Sequence, residues 1–219
     1  MQKNLTELVF ILDKSGSMSG LEDDTIGGFN SLLTKQQKEP GQAIVTTVLF
    51  DDKYELLHDR ISISGIRPIT DKEYFIGGST ALLDAIGKTI IKIGNAQKYT
   101  GEDQRASKVM FIITTDGMEN ASREYTIGKI RQLIERQKEK YGWEFLFLGA
   151  NIDAVSTAAE FGIDADRAVN YVADAQGTNL NYQAVCCAVS EIRTSNTLNR
   201  NWKASIDEDF QNRSKKKKS

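Results

Sequence analysis

Short apolar runs alternate with amphipathic segments along this chain of 219 residues. The runs predicted to be strands cover residues 8–12, 43–50, 108–115, 143–148 and, with less apolar character, 168–172. Residues 109–113 are almost wholly apolar, which is typical of a central parallel strand buried on both faces. The alternation therefore predicts a mostly parallel sheet covered by helices.

The amphipathic segments are predicted to be helices, because their apolar residues recur at helical spacing. They cover residues 22–38, 82–93, 127–141, 154–161 and 180–193. In the first of them Ile26, Phe29 and Leu33 share one face. Gly27 and Gly28 lie inside the same segment, and each lowers helix stability by about 1 kcal/mol relative to Ala. We expect close packing against the sheet, or against the loop after the first strand, to offset that loss.

A hairpin is predicted next to the strand at 43–50. Asp51-Asp52 forms its turn, and residues 53–63 alternate in polarity, with Tyr54 and His58 on one face. His58 is the only histidine, and we expect it to be an edge-strand or surface residue rather than a catalytic one. The predicted fold class is α/β: a doubly wound, mostly parallel central sheet with one antiparallel edge strand and helices on both faces.

One domain is predicted over residues 1–195, followed by a polar C-terminal extension over 196–219. Trp202, Ile206 and Phe210 remain apolar there, at spacings that a helix can use. Residues 213–219 are polar and basic, which predicts a disordered tail. Contact of that tail with nucleic acid or anionic lipid is the alternative.

Composition excludes several classes of function. The formal net charge of −2 gives no electrostatic reason to expect nucleic-acid binding by the body of the domain. No apolar stretch is long enough to span a membrane, and the N-terminus lacks a signal-peptide pattern, so we expect a cytoplasmic protein with no membrane partner. Cys186 and Cys187 are adjacent in sequence, so we expect them to be buried, reduced residues of a helix rather than a disulfide or a zinc site.

Oxygen-bearing side chains follow two of the predicted strands. Asp13, Ser15 and Ser17 come after the first strand, and Asp116 follows the strand at 108–115. Thr80 lies in a glycine-rich loop before a helix. Loops at the carboxyl ends of parallel strands form the ligand crevice of an open α/β sheet, so these side chains are expected to converge. Hard oxygen donors without nearby His or Cys favour Mg²⁺, Ca²⁺ or Mn²⁺.

These motifs together resemble the metal-ion-dependent adhesion site of von Willebrand factor type A (VWA) domains. They are Asp13-Lys14-Ser15-Gly16-Ser17, Thr80-Ala81-Leu82 and Thr115-Asp116-Gly117, and the resemblance extends over residues 5–193 in element order. It is strongest to intracellular bacterial and phage-encoded members. It implies a Rossmann-like VWA fold in which Ser15, Ser17 and Thr80 contact a divalent cation, with Asp13 and Asp116 binding it directly or through water. It also implies that a protein partner presents an Asp or Glu to the cation, and that the segment 180–193 can shift with the site loops.

Other interpretations of the same residues stay open at this point. Ser15 and Ser17 can form a turn and cap a helix, Asp116-Gly117 can be an ordinary turn, and Thr80 can be an N-cap. Glu119 and Asn120 can line the rim of the site or cap a loop. A metal-dependent phosphohydrolase with Asp13 as nucleophile is the alternative function, although no G-x-x-x-x-G-K-[ST] or G-x-S-x-G motif occurs. A scaffold with an unused site is the third possibility.

Overall fold

The computed structural model describes residues 2–216, with side chains described for residues 5–214. Its strands are β1 (Gln2–Asp13), β2 (Gln42–Phe50), β3 (Tyr54–Ser62), β4 (Ala106–Thr115), β5 (Glu144–Gly149) and β6 (Ala168–Asn170). Its helices are α1 (Glu22–Gln36), α2 (Leu82–Tyr99), α3 (Ile127–Tyr141), α4 (Ala154–Glu160), α5 (Ala175–Ser195) and α6 (Ala204–Lys216). Each predicted element is present. The largest differences in length are that β1 begins six residues earlier, α2 ends six residues later and α5 begins five residues earlier than predicted.

The six strands form one sheet in the order β3-β2-β1-β4-β5-β6. All neighbouring strands are parallel except β2 and β3, which form the antiparallel edge hairpin around Asp51-Asp52. The strand order reverses between β1 and β4, so their carboxyl ends flank a topological switch point. The predicted fold class is confirmed, and the crevice lies where Asp13 ends β1 and Asp116 follows β4.

Helices cover both faces of the sheet. Alternate residues of β1 point to opposite faces, so Phe10 packs in the layer beneath α1 and α5, and Ile11 packs in the layer beneath α2 and α3. β1 lies at the centre of the sheet, and its residues 8–12 are at most 1% exposed. Burial on both faces explains their continuous apolar character, since no side of this strand meets water.

Gly28 lies where α1 crosses α5. A Cβ at this position would lie 2.2 Å from Cδ2 of Tyr182, whereas a Cβ at Gly27 would meet nothing within 4 Å. The expected close packing therefore exists at Gly28, but its partner is helix α5 rather than the sheet or the loop after β1. Gly27 has no such contact.

The chain after α5 returns to the sheet. Leu198, Trp202 and Ile206 are buried in the core layer that also contains α1 and α5, and Trp202 Nε1 donates to the carbonyl oxygen of Asp166 at 2.8 Å. Helix α6 continues to Lys216, so the expectation of disorder from residue 213 is wrong as far as residue 216; residues 217–219 lie outside the described part. The domain boundary at residue 195 stays a prediction.

The two cysteines differ in environment. Both are free, but Cys186 is buried and Cys187 is exposed. Successive residues of a helix point in different directions, so only one of the pair can face the core. The expectation of two buried residues is therefore right for Cys186 and wrong for Cys187.

Candidate metal site at the carboxyl ends of β1 and β4

Asp13 is held in one orientation by two hydrogen bonds. Its Oδ1 accepts from the backbone N–H of Ser15 at 2.7 Å, and its Oδ2 accepts from the Thr115 hydroxyl at 2.6 Å. The residue is only 1% exposed. Burial raises the pKa of the Asp13 carboxyl above its usual value, although these hydrogen bonds act in the opposite direction. The result is a preoriented, buried carboxyl group at the end of β1.

Three hydroxyl groups lie together beside Asp13. The Thr80 hydroxyl donates to Ser15 Oγ at 3.0 Å, and Ser15 Oγ lies 3.2 Å from Ser17 Oγ. Ser15 and Thr80 are buried, whereas Ser17 is exposed. The backbones also meet, since the N–H of Gly16 donates to the carbonyl oxygen of Gly78 at 3.2 Å. The expected convergence of the first two motifs is therefore present.

Neither hydroxyl-bearing loop uses these side chains as helix caps. Ser15 precedes a short 3-10 helix at Gly16–Met18 without a capping hydrogen bond from its side chain. Helix α2 begins at Leu82 with Ala81 in the cap position. The capping interpretations of Ser15 and Thr80 are wrong, and both hydroxyls face the cluster instead.

The third motif adjoins the same cluster. A Cβ on Gly117 would lie 2.9 Å from Ser17 Oγ and 3.3 Å from Thr80 Oγ1. Asp116 precedes this glycine, and its Oδ1 accepts a short hydrogen bond from Asn151 Nδ2. Burial raises the pKa of the Asp116 carboxyl; the hydrogen bond from Asn151 acts in the opposite direction, and the negative charge of Asp13 again raises this pKa. The structure therefore brings together all five predicted residues: Asp13, Ser15, Ser17, Thr80 and Asp116.

Three further residues support the site. Thr115 of the third motif donates to Asp13, Asn151 donates to Asp116, and the Tyr74 hydroxyl donates to the carbonyl oxygen of Asp13 at 2.6 Å. The motifs did not reveal the last two. Asn151 follows the carboxyl end of β5, where a search along the crevice could have found it. Tyr74 belongs to an irregular segment, and no pattern points to it.

Glu119 and Asn120 stabilise the loop around the site. Glu119 accepts hydrogen bonds from the backbone N–H groups of Leu83 and Ser122, at 2.9 and 2.7 Å. Asn120 Oδ1 accepts from the N–H of Thr80 at 2.9 Å. Of the two interpretations open for Glu119, loop capping is the one observed, and Asn120 fixes the backbone of Thr80.

Lys14 lies inside the first motif, but its side chain pairs with neither Asp13 nor Asp116. Its Nζ pairs with Glu55 Oε2 at 2.8 Å and lies 4.3 Å from the ring centroid of Phe75. His58 is not part of the site either. It belongs to edge strand β3, as expected, and its Nδ1 lies 3.0 Å from Thr47 Oγ1. Neither side chain contacts Asp13 or Asp116 through a described hydrogen bond.

The donor set fits a hard divalent cation. It contains oxygen alone, from two carboxyl groups and three hydroxyl groups, and such ligands suit Mg²⁺, Mn²⁺ or Ca²⁺. Within the described residues there is no metal-binding group of three or more His, Cys, Asp or Glu side chains. The cluster around Ser15 does not depend on such a group, because most of its oxygens come from Ser and Thr.

Solved structures share this fold at low sequence identity. A minor pilin, PilB, from Streptococcus sanguinis superposes with a TM-score of 0.59 at 13% identity, over 88% of this chain and 63% of that one. A von Willebrand factor type A protein from Catenulispora acidiphila gives a TM-score of 0.55 at 14% identity, over 86% and 43%. Proximal thread matrix protein 1 from the mussel byssus, with a zinc-occupied metal-ion-dependent adhesion site, gives 0.57 at 15% identity, over 86% and 46%.

These likenesses define the class of fold. The chain has the architecture of VWA domains, and it spans less than two thirds of the length of each of these three structures. No protein-family profile matches the sequence, and no curated protein matches it either. Among the described helices, none has the length and apolar character needed to cross a membrane.

Proposed function

We propose that this protein is a metal-dependent protein-interaction module. The observation that carries the proposal is the convergence of three hydroxyl groups with the buried carboxyl groups of Asp13 and Asp116. In this proposal Ser15, Ser17 and Thr80 hold a divalent cation, Mg²⁺ in the first place, and the two carboxylates bind it directly or through water.

The electrostatics of the site support a bound cation. Asp13 and Asp116 are 1% and 2% exposed, and no described Lys or Arg pairs with either one. A buried carboxylate is costly unless it is paired or coordinates a metal. A divalent cation between them supplies the missing positive charge, and the three neutral hydroxyls add ligands without neutralising it.

The same charge balance favours an acidic partner. When bound, such a cation keeps positions that a carboxylate oxygen can occupy, because the protein fills only part of its shell. We therefore propose that an Asp or Glu of a protein partner completes the site. The exposed position of Ser17 leaves the cluster open to solvent on one side.

The surroundings of the site support a protein partner. Met118 is 73% exposed directly after Gly117, and Phe75 is 55% exposed beside Lys14. Exposed large apolar side chains around a polar centre are typical of protein-interaction surfaces. By analogy with the intracellular bacterial and phage VWA proteins that the motifs resemble, we propose that the module acts in the cytoplasm.

Titration calorimetry on chelator-treated protein tests the metal. We expect wild-type protein to bind Mg²⁺ and Mn²⁺, and Asp13→Ala and Thr80→Ala each to weaken binding at least about 10-fold, because each removes a ligand. Thr34→Ala is the matched control, since the Thr34 hydroxyl bonds only the Asn30 carbonyl oxygen on α1. Equal affinity in wild type and Asp13→Ala contradicts the proposal. Absence of binding even at millimolar Mg²⁺ favours a scaffold with an unused site.

An affinity capture from the native cell tests the partner. We expect a protein that is retained with Mg²⁺, released by EDTA and lost with Thr80→Ala. A partner retained equally in EDTA contradicts metal-mediated docking.

The phosphohydrolase alternative makes a separate prediction. It requires metal-dependent hydrolysis of p-nitrophenyl phosphate that is lost in Asp13→Asn. We propose that the protein is not an enzyme, and the engagement of Lys14 by Glu55 supports this, because a phosphate-binding Lys is needed near the metal. Turnover lost in the variant would establish the alternative instead.

A further inference from the structure

A groove lies at the end of the sheet where β4 and β5 begin, opposite the carboxyl ends that form the metal site. It runs between α2 and α3, where β4 begins and where the chain enters β5. Its volume is about 550 Å³, within the range of about 300–1,000 Å³ that is typical of small-molecule sites. Nothing in the proposed function uses this groove.

The charge of the groove is strongly one-sided. Lys98 of α2, Arg105 before β4, and Arg136 and Lys140 of α3 line it, and no Asp or Glu is among its lining residues. Among the described residues, none of these four cations forms an ion pair with a carboxylate. The carboxyl ends of the two helices each contribute about −0.5 charge, so the lining keeps a net charge of about +3.

Helix stabilisation explains only part of this charge. Lys98 and Lys140 stand in the last turns of α2 and α3, where a cation is favourable in any helix. Arg136 lies about one turn earlier, and Arg105 is outside both helices. Arg105 bonds the carbonyl oxygen of Thr100 at the end of α2, so among these four cations Arg136 is the one without a described structural role. Guanidinium is the side-chain group best suited to pair with phosphate or carboxylate.

Two polar atoms at the groove lack partners. Gln137 lines it and is 8% exposed, yet its Oε1 is buried without a hydrogen bond to any described group. Arg105 Nε is also buried without a hydrogen bond to any described group, although Arg105 Nη2 donates to the carbonyl oxygen of Thr100 at 3.0 Å. A buried polar atom without a partner costs about 1–3 kcal/mol. Of the two atoms, Arg105 Nε is a hydrogen-bond donor and so complements an anion, whereas Gln137 Oε1 is an acceptor and does not.

Apolar side chains line the groove beside the cations. Ile90 and Leu133 lie nearer the starts of α2 and α3 than the cations do, and Val109 of β4 is also in the lining. Trp143, directly before β5, lines the groove and stacks on Phe111, with ring centroids 5.4 Å apart. The groove thus combines apolar and cationic lining.

We propose that this groove binds a small organic anion, whose phosphate or carboxylate group lies at Arg105 and Arg136 and whose apolar or ring portion lies against Leu133 and Trp143. The combination of apolar and cationic lining matches a ligand that carries both an anionic group and an apolar portion. Because the groove and the metal site lie at opposite ends of the strands, this proposal does not depend on the proposed function.

Calorimetry in EDTA with phenyl phosphate as the probe tests the proposal without any contribution from a bound cation. We expect wild-type protein to bind phenyl phosphate. Arg136→Glu should weaken that binding at least 10-fold, because it replaces the cation that pairs with the phosphate by a carboxylate that repels it. Lys38→Glu is the matched control: it reverses one exposed charge just after α1 and should change nothing. A circular-dichroism melt confirms that Arg136→Glu, an exposed substitution, remains folded.

Three further probes separate the parts of the ligand. Benzoate in place of phenyl phosphate shows whether carboxylate or phosphate is the preferred anion. Phenol and inorganic phosphate should each bind at least 10-fold more weakly than phenyl phosphate, because each lacks one half of the expected contacts. Absence of binding for both ring-bearing anions overturns the proposal. Equal binding by wild type and Arg136→Glu, or by phenyl phosphate and inorganic phosphate, also overturns it.

Discussion

The hydroxyl of Thr115 donates a 2.6 Å hydrogen bond to Oδ2 of Asp13, and so ties the carboxyl end of β4 to that of β1. The two strands are paired up to Leu12 and Thr114. The side-chain bond continues their connection one residue beyond the paired backbone. It joins two of the sequence motifs directly and fixes the direction in which the Asp13 carboxyl group points.

Replacing Thr115 by Val should therefore weaken the proposed cation site without removing a ligand. Loss of an orienting hydrogen bond beside a metal typically lowers affinity about 10-fold or more, and we expect Thr115→Val to do so for Mn²⁺ in titration calorimetry. Thr114→Val is the control, because adjacent residues of a strand face opposite sides of the sheet. Unchanged Mn²⁺ affinity in Thr115→Val would contradict the orienting role.

Gly117 should tolerate no side chain if the hydroxyl cluster holds a cation. Its Cβ would lie 2.9 Å from Ser17 Oγ, so Gly117→Ala must displace one of the proposed ligands. We expect at least about 10-fold weaker Mn²⁺ binding. Gly128→Ala on α3 is the comparison, since its Cβ meets nothing within 4 Å, and it should leave binding unchanged. Equal affinities in the two variants would count against the arrangement.

Two neighbouring glycines of α1 should respond to Ala with opposite signs. Gly27→Ala gains helix propensity without a clash and should stabilise the protein by up to about 1 kcal/mol. Gly28→Ala drives a Cβ into the ring of Tyr182 and should destabilise it by about 1–3 kcal/mol. Urea unfolding followed by tryptophan fluorescence measures both. The α1–α5 packing is misassigned if Gly28→Ala is as stable as Gly27→Ala.

His58 should make folding stability fall on mild acidification. Burial lowers its pKa below the usual value, although the charge of Glu73 acts in the opposite direction. The unfolded chain therefore takes up the proton first. The stability contribution is complete above the ordinary pKa of about 6.5 and is lost as the pH falls towards the folded-state pKa.

The measurement is the free energy of unfolding in urea at several pH values between 7.5 and 5. One proton contributes a slope of no more than about 1.4 kcal/mol per pH unit. His58→Gln should remove this contribution and flatten the upper part of the profile, leaving the part due to carboxyl groups. Identical profiles for the two proteins would show that His58 has the same pKa folded and unfolded.

Most of the fold was predictable because burial leaves a clear pattern. The runs that became β1, β4 and β5 are mostly apolar, since both faces of these strands are covered by helices. Element ends were less predictable. Helix α5 begins at Ala175, where Asp174 caps it by accepting from the N–H of Gly177 at 2.9 Å, so a local cap decided a boundary that the apolar periodicity of residues 180–193 did not reveal.

The site was predictable in its five main residues for a topological reason. Asp13 and Asp116 each follow a strand directly, and parallel strands bring such residues to one edge of the sheet. The supporting contact of Tyr74 was not predictable, because this residue reaches the site from an irregular segment, whereas Asn151 follows β5 at the same ends of the strands. The partner of Gly28 was not predictable either, since a glycine in a sequence does not show which helix crosses it.

By itself, the sequence determined the α/β class, the order of its elements, and an oxygen-rich set of side chains at the ends of β1 and β4. These properties depend on local periodicity and on which residues follow a strand. Only the tertiary structure decided that Glu119 caps a loop, that Lys14 turns to Glu55, and that the cations of α2 and α3 share one groove. Such contacts join residues far apart in the chain, and their geometry is set by how the helices pack on the sheet.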